Sequence, residues 1–327
     1  MRKKLWSFMA GASLVASLLI TQQTSAQDAV KIDPTIPPYK AVSGISGNLN
    51  SIGSDTLNNL MTLWAEGFKK AYPNVNIQIE GKGSSTAPPA LIEGTAQLGP
   101  MSRPMRGSEV DGFEAKYGYK PTALRTSLDS LAVFVHKDNP VKGLTLTQVD
   151  GMFSKTFRCK GGDVKTWGQV GADGSWGGSP LSLYGRNSAS GTYGFFKEHA
   201  LCNGDYKDTV KEQPGSASVV QGVSEDRNGV GYSGIGYATS GVRSVPLAAK
   251  QGDAFAPPTY ENVIGGKYPL SRALLVYINR APGSALDPLV KEFAKFIFSK
   301  EGQEIVVKDG YYPLTAAIVK EELAKLE

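Results

Sequence analysis

Three short stretches crowd small hydroxyl side chains and glycine together: Gly53-Ser54-Asp55-Thr56, Gly83-Ser84-Ser85-Thr86 and Ser188-Ala189-Ser190-Gly191-Thr192. Each precedes a segment with helical character. The start of a helix offers unpaired N–H groups and a partial positive charge, so it attracts anions. Hydroxyls add neutral donors, and glycine lets a ligand approach the backbone. Any one stretch alone reads more readily as ordinary N-capping. Three in one chain, one of them beside Arg186, point to an oxyanion, because a guanidinium grips such oxygens with two prongs. Asp55 stands against this at first sight, since a carboxylate repels an anion. It fits if the ligand keeps a proton. Monohydrogen phosphate can donate that proton to a carboxylate; sulfate has none to give, so the carboxylate would reject it. Asp55 also reads as a simple helix cap.

Other chemistries find less support. Gly229 to Gly234 fits GxGxxG but lacks a following helix and an acid about 20 residues on, as a dinucleotide site requires. The segment 186–191 approximates a nucleophile elbow, but Ser188 stands where G-x-S-x-G needs glycine. Two histidines, His136 and His199, leave few candidates for a catalytic triad. The two cysteines and two histidines have no zinc-site spacing. Gly265-Gly266-Lys267-Tyr268 lacks the Ser or Thr of a phosphate-binding P-loop. The expectation is a binding protein with no catalytic residues, no metal and no cofactor.

The elements that must hold these corners alternate between strand and helix. Leu49 and Ile52 suggest a short strand. Leu57, Leu60, Met61, Trp64 and Phe68 recur at helical spacing, and Val75, Ile77 and Ile79 alternate as in a strand. Residues 87–93 read as a helix with Pro88 and Pro89 in its first turn. Residues 130–136 and 273–279 are buried strands, 181–184 a short strand, and 230–237 a glycine-rich one. Residues 145–153, 190–201 and 286–298 read as helices, and a charged helix ends the chain. This order predicts an α/β protein with a parallel sheet. Residues 27–46, with Pro34, Pro37 and Pro38, read as an extended, loosely packed arm.

Length and composition suit two globular domains: 327 residues, 41% hydrophobic and 20% charged. Arg2-Lys3-Lys4, an apolar run to Ile20 and the small residues Thr24-Ser25-Ala26 form a secretory signal, 1–26, cut after Ala26. Its removal takes three positive charges from the formal +5 and leaves +2, so the charge makes no case for nucleic acid. An oxidising compartment predicts that Cys159 and Cys202 form a disulfide.

With these residues in view, the chain resembles the phosphate-binding proteins of Pst-type ABC importers from about Gly47 onward. The resemblance rests on the three corners, on Gly99-Pro100-Met101-Ser102-Arg103-Pro104-Met105, and most specifically on 185–192. It implies a type II periplasmic binding fold: two α/β lobes joined by two crossing strands, with ligand in the cleft. Lobe I would comprise 47–130 plus 274–327 and lobe II 131–273, with residues 131–135 and 273–279 as the crossings. It implies phosphate contacts from Asp55, Thr56, Ser84 and Ser102 in lobe I and from Arg186, Ser190, Gly191 and Thr192 in lobe II. It further implies a periplasmic monomer, part of which could leave the cell, delivering inorganic phosphate to a membrane permease. The sequence departs from the enterobacterial pattern twice. Ser102 replaces the aspartate that accepts the phosphate proton, and Ser188 replaces the acid that pairs with the arginine. The expectation is that Asp55 takes over the first task. Alternatives are a receptor for another oxyanion such as arsenate, a secreted phosphatase, or a surface-adhesion role.

Overall fold

The computed structural model describes residues 30–327, so the signal expected over 1–26 and the first residues of the arm lie outside the described residues. Eleven strands are present there: β1 Gly47–Ile52, β2 Val75–Glu80, β3 Gly99–Met101, β4 Thr122–His136, β5 Leu144–Thr145, β6 Ser182–Arg186, β7 Lys211–Gln213, β8 Gly229–Gly234, β9 Val242–Ser244, β10 Leu247–Ala248 and β11 Ser271–Ile278.

Two main cores form around them. The first gathers Leu60, Met61, Trp64 and Phe68 of the helix Asn58–Ala71 with Leu289, Val290, Phe293 and Phe296 of the helix Pro288–Ile297. Phe68 meets Phe293 edge-on with ring centres 5.3 Å apart, a favoured aromatic geometry. The second core is built mainly from residues between Leu131 and Leu270, joined by Tyr312, and includes Trp167, Phe153, Phe196 and Tyr232. Phe196 and Tyr232 stack at 3.9 Å.

A parallel sheet was expected, and the observed one is mixed. β1 runs parallel to β2, and β6 runs parallel to both β7 and β8. β11 is antiparallel to β3 and β4, and β4 is antiparallel to β8 and β9. The reason is that β4 and β11 pass between the two cores in opposite directions. β4 has 15 residues. At the usual rise per residue it spans about 50 Å. Its first half pairs with β11, from Thr122 opposite Ile278 to Ser130 opposite Ser271, and its second half pairs with β8 from Leu131 to Val135. The crossing therefore falls before 131–135, at Thr126-Ser127-Leu128-Asp129-Ser130. An apolar run marks a strand inside a core. The stretch between two cores is polar, and hydropathy alone passes it over.

Among the described residues the arm is anchored at several points rather than loose throughout. Ile36 is buried in the first core. The Tyr39 hydroxyl donates to Glu292 at 2.8 Å, Tyr39 N donates to Glu301 at 2.7 Å, and Lys300 N donates to the Pro37 carbonyl at 2.9 Å. The prolines stiffen a strap across the C-terminal helices.

Cys159 and Cys202 form a disulfide, with Cα atoms 5.3 Å apart and a sequence separation of 43. Both belong to the region of the second core. A bridge over a loop of this size stabilises by about 2–4 kcal/mol, chiefly by restricting the unfolded chain. Replacing both cysteines by serine should lower the urea midpoint accordingly and leave the packing of one core on the other unchanged, as circular dichroism melts and small-angle scattering would report.

Candidate functional site

The corners singled out by residue type converge where the two cores face each other. On the first-core side, Ser54 leaves β1 in extended backbone, and Asp55–Leu57 forms a single tight turn leading into the helix Asn58–Ala71. Ser84–Thr86 forms a similar turn after β2, with Pro88 and Pro89 opening the next helix. Ser102 follows β3. On the second-core side, Arg186 ends β6, and Ser190 caps the helix Gly191–His199 by accepting from Tyr193 N at 3.3 Å. Thr56, Ser84, Ser102, Arg186, Ser190, Gly191 and Thr192 are all buried.

A run of hydroxyls joins the two sides. Ser54 Oγ donates to Ser102 Oγ at 3.0 Å, and Ser102 N donates to Ser84 Oγ at 3.0 Å. Thr56 Oγ1 and Thr192 Oγ1 are 2.9 Å apart, and Ser102 Oγ lies 3.4 Å from Thr192 Oγ1. Ser85 N donates to the Ala189 carbonyl at 3.1 Å. Contact is so close that a Cβ on Gly191 would overlap Ser84 Oγ and stand 2.7 Å from Ser102 Oγ. Gly83 adopts φ +124°, and a side chain there would strike the Ala189 carbonyl. Glycine alone suits both demands.

Asp55 reaches across the cleft. Its Oδ2 accepts from Arg186 Nη1 at 2.9 Å, from Ser216 N at 2.8 Å and from Ser216 Oγ at 2.8 Å. Ser216 opens the helix Ser216–Glu225, so the carboxylate also sits at a helix N-terminus, where negative charge is favoured. Oδ1 makes no hydrogen bond among the described residues. Asp55 was expected to stand in for the missing proton acceptor at Ser102. Its Oδ2 instead fills the other gap, the acid missing at Ser188 that should pair with the arginine, and only Oδ1 is left for a ligand.

Arg186 is almost fully enclosed, 1% exposed. Besides Asp55 it donates to Ser216 Oγ at 2.8 Å and to the Pro214 carbonyl at 3.2 Å, while its own N–H is held by Tyr232 Oη at 3.1 Å. Two tyrosines brace the first corner. Tyr237 Oη donates to the Asp55 carbonyl and Tyr311 Oη to the Thr56 carbonyl, both at 2.9 Å. Burial first, and then the charge of Asp55, push the Tyr237 phenol above its ordinary pKa; burial and then Asp129 do the same for Tyr311. Both stay protonated donors.

Ser216, Tyr237, Asp129 and Arg272 were not anticipated, and Ser54 only as part of its corner. A signal existed for two of them: Asp129 and Arg272 are charges inside otherwise buried strands, which is rare without a partner. Among the described residues, no three His, Cys, Asp or Glu side chains gather as a metal site, and no helix is long and apolar enough to cross a membrane. Hydroxyls, backbone amides and a guanidinium, the donor types that suit a tetrahedral oxyanion, are thus gathered in one place. Neither histidine is poised to activate a nucleophile: His136 Nδ1 accepts from Asp138 N, and His199 packs on Phe195.

Comparison with known proteins fits this geometry. Residues 39–301 match the family model described as the PBP superfamily domain. The chain is 57% identical over 324 residues to the phosphate-binding protein PstS of Pseudomonas aeruginosa, covering 99% of each. It is 26% identical to protein SphX of Synechococcus elongatus, over 93% of this chain and 83% of that one. Its structure is similar to that of an ABC transporter substrate-binding protein from Clostridium perfringens with bound phosphate. There the TM-score is 0.69 at 27% identity, covering 82% of this chain and all of that one. An ABC-type phosphate transport receptor from Vibrio cholerae shares the fold, with a TM-score of 0.63 at 23% identity over 81% of this chain and all of that one.

Proposed function

This chain belongs to the PBP superfamily and, within it, to the PstS family of phosphate-binding proteins, and from that premise we propose that it captures inorganic phosphate and hands it to an ABC permease. The fold is the type II periplasmic binding fold. The observation that carries the reading is the cradle itself: hydroxyls from both sides meet, and the buried Arg186 holds Asp55 at the neighbouring corner.

In this reading residues 47–130 and 274–327 form lobe I and 131–273 lobe II, an assignment supported by how the buried side chains divide between the two cores. β4 and β11 serve as the hinge. Phosphate stabilises the closed form because Thr56, Ser84 and Ser102 hold it from one lobe and Arg186, Ser190, Gly191 and Thr192 from the other. A buried dianion needs nearly every oxygen hydrogen-bonded, and the many hydroxyls answer that need. The protein performs no chemistry on its ligand. It works as a periplasmic monomer after loss of residues 1–26, and it has no role with nucleic acid.

Isothermal titration of the ligand-stripped mature protein tests this directly. One-to-one phosphate binding with no heat from sulfate is expected; equal binding of the two anions would remove the role of Asp55, and binding of neither would overturn the function. Asp55→Asn probes Oδ1. An asparagine can turn its amide NH2 toward the anion and keep its carbonyl oxygen on Ser216. The phosphate-to-sulfate preference should then fall about tenfold or more, since one charge-assisted hydrogen bond and one repulsion are both lost. An unchanged ratio would mean that Asp55 serves only to pair Arg186.

A further inference from the structure

Two charged side chains that the phosphate reading leaves unused lie against the cradle. Arg272 on β11 and Asp129 on β4 are direct cross-strand partners, with side chains only 2% and 0% exposed. Arg272 Nε and Nη2 both reach Asp129 Oδ2, at 2.9 and 2.8 Å, and Asp129 Oδ1 accepts from Ile235 N at 3.0 Å. The rest of the guanidinium serves the site. Nη1 donates to the Ser102 carbonyl at 2.9 Å, and Nη2 donates to Thr192 Oγ1 at 3.1 Å. Its carbon lies 5.3 Å from the centre of the Phe195 ring. One side chain on a crossing strand thus holds a residue from each side of the cleft.

The chemistry of the Thr192 hydroxyl follows from this contact. A guanidinium can only donate, whereas a hydroxyl has one proton and two lone pairs. With one lone pair taken by Arg272, the Thr192 proton must go elsewhere, and its other neighbours are the cradle hydroxyls Thr56 Oγ1 and Ser102 Oγ. A hydroxyl that accepts from a cation is also polarised into a stronger donor. We propose, resting on the phosphate reading above, that Arg272 is a positioning residue for the anion: it fixes Thr192 as a donor turned into the cradle, and Asp129 holds Arg272 in place. Arg272 itself does not touch the ligand. A buried ion pair is often no more stabilising than a well-packed apolar pair, so stability alone gives little reason for one here.

The test is a cycle of phosphate affinities, measured by isothermal titration on the mature protein, across four forms. These are the wild type, Thr192→Val, the pair variant Asp129→Asn/Arg272→Gln, and the combination of all three. The pair is exchanged as a unit so that neither charge is left buried alone. Thr192→Val and the pair variant are each expected to weaken binding about tenfold or more, the usual weight of a hydrogen bond to a charged ligand. Adding Thr192→Val to the pair variant should then cost no more than about twofold, the ordinary error of additivity. A purely structural role would lower the denaturation midpoint yet leave the Thr192→Val loss the same size in both backgrounds, and that result overturns the proposal. Should the pair variant fail to fold, Arg272→Lys replaces it. Lysine keeps the charge near Asp129 but has no planar fork to hold both Ser102 and Thr192. The same shrinkage of the Thr192→Val step is expected there, and an undiminished step overturns the proposal. A wild type that binds no phosphate would overturn the functional reading itself. A wild type that binds phosphate, with multiplicative losses in the cycle, overturns only the role of Arg272.

Discussion

Arg186→Gln is expected to weaken phosphate binding by a factor on the order of 100 to 1,000, the equivalent of breaking a buried charge pair. Two losses add here. The cradle loses the guanidinium proposed to grip the anion, and Asp55 loses its partner. The carboxylate would keep its two bonds from Ser216 but face the incoming anion without a counter-charge. Arg186 also carries a buried Nε with no protein partner among the described residues. A buried donor of that kind is costly, and an anion oxygen would satisfy it. Titration of Arg186→Gln beside Asp55→Asn/Arg186→Gln separates the two losses. The double variant should regain part of the affinity, because the uncompensated carboxylate is gone. Binding by Arg186→Gln within tenfold of wild type would show that the arginine only ties the lobes together.

Gly191→Ala is expected to cost about a hundredfold or more in phosphate affinity, near the upper end of what overpacking does to a tight contact. The added methyl would overlap Ser84 Oγ and Ser102 Oγ, which belong to the opposite side of the cleft. The overlap is relieved if the lobes stay apart, so folding stability should hardly change. Small-angle scattering gives the decisive reading. Wild-type protein should contract when phosphate is added, and Gly191→Ala should keep its open dimensions. A variant that closes normally would place the lobes farther apart in the bound state than they stand here.

Much of the fold is legible from local patterns. The stripe Leu60, Met61, Trp64 and Phe68 marks its helix, because helical spacing alone puts those side chains on one face. Ser190 before Gly191-Thr192, and Thr145 with Gln148, announce helix starts for the same short-range reason. Four helices escaped notice. Gly107–Tyr117 buries only Phe113, Lys300–Lys308 is largely polar, Tyr260–Ile264 has only five residues, and Ser216–Glu225 owes its buried face to valines, which fit a strand as well. In each the apolar stripe is too thin or too β-branched to read.

What the sequence by itself determined, then, was the chemical inventory: an alternation of strands and helices, a cysteine pair, and the small hydroxyl, glycine and arginine residues proposed to cradle the anion, Thr56, Ser84, Ser102, Arg186, Ser190, Gly191 and Thr192. Only the tertiary structure decided the partners. Asp55 and Arg186 stand 131 residues apart and Asp129 and Arg272 stand 143 apart, yet each pair is in contact. Strand direction and the site of the crossing were settled at the same level. Periodicity reports what a residue does within a few turns of its own element. Which carboxylate meets which guanidinium depends on where whole elements come to rest, and that is fixed by the packing of two cores joined through β4 and β11.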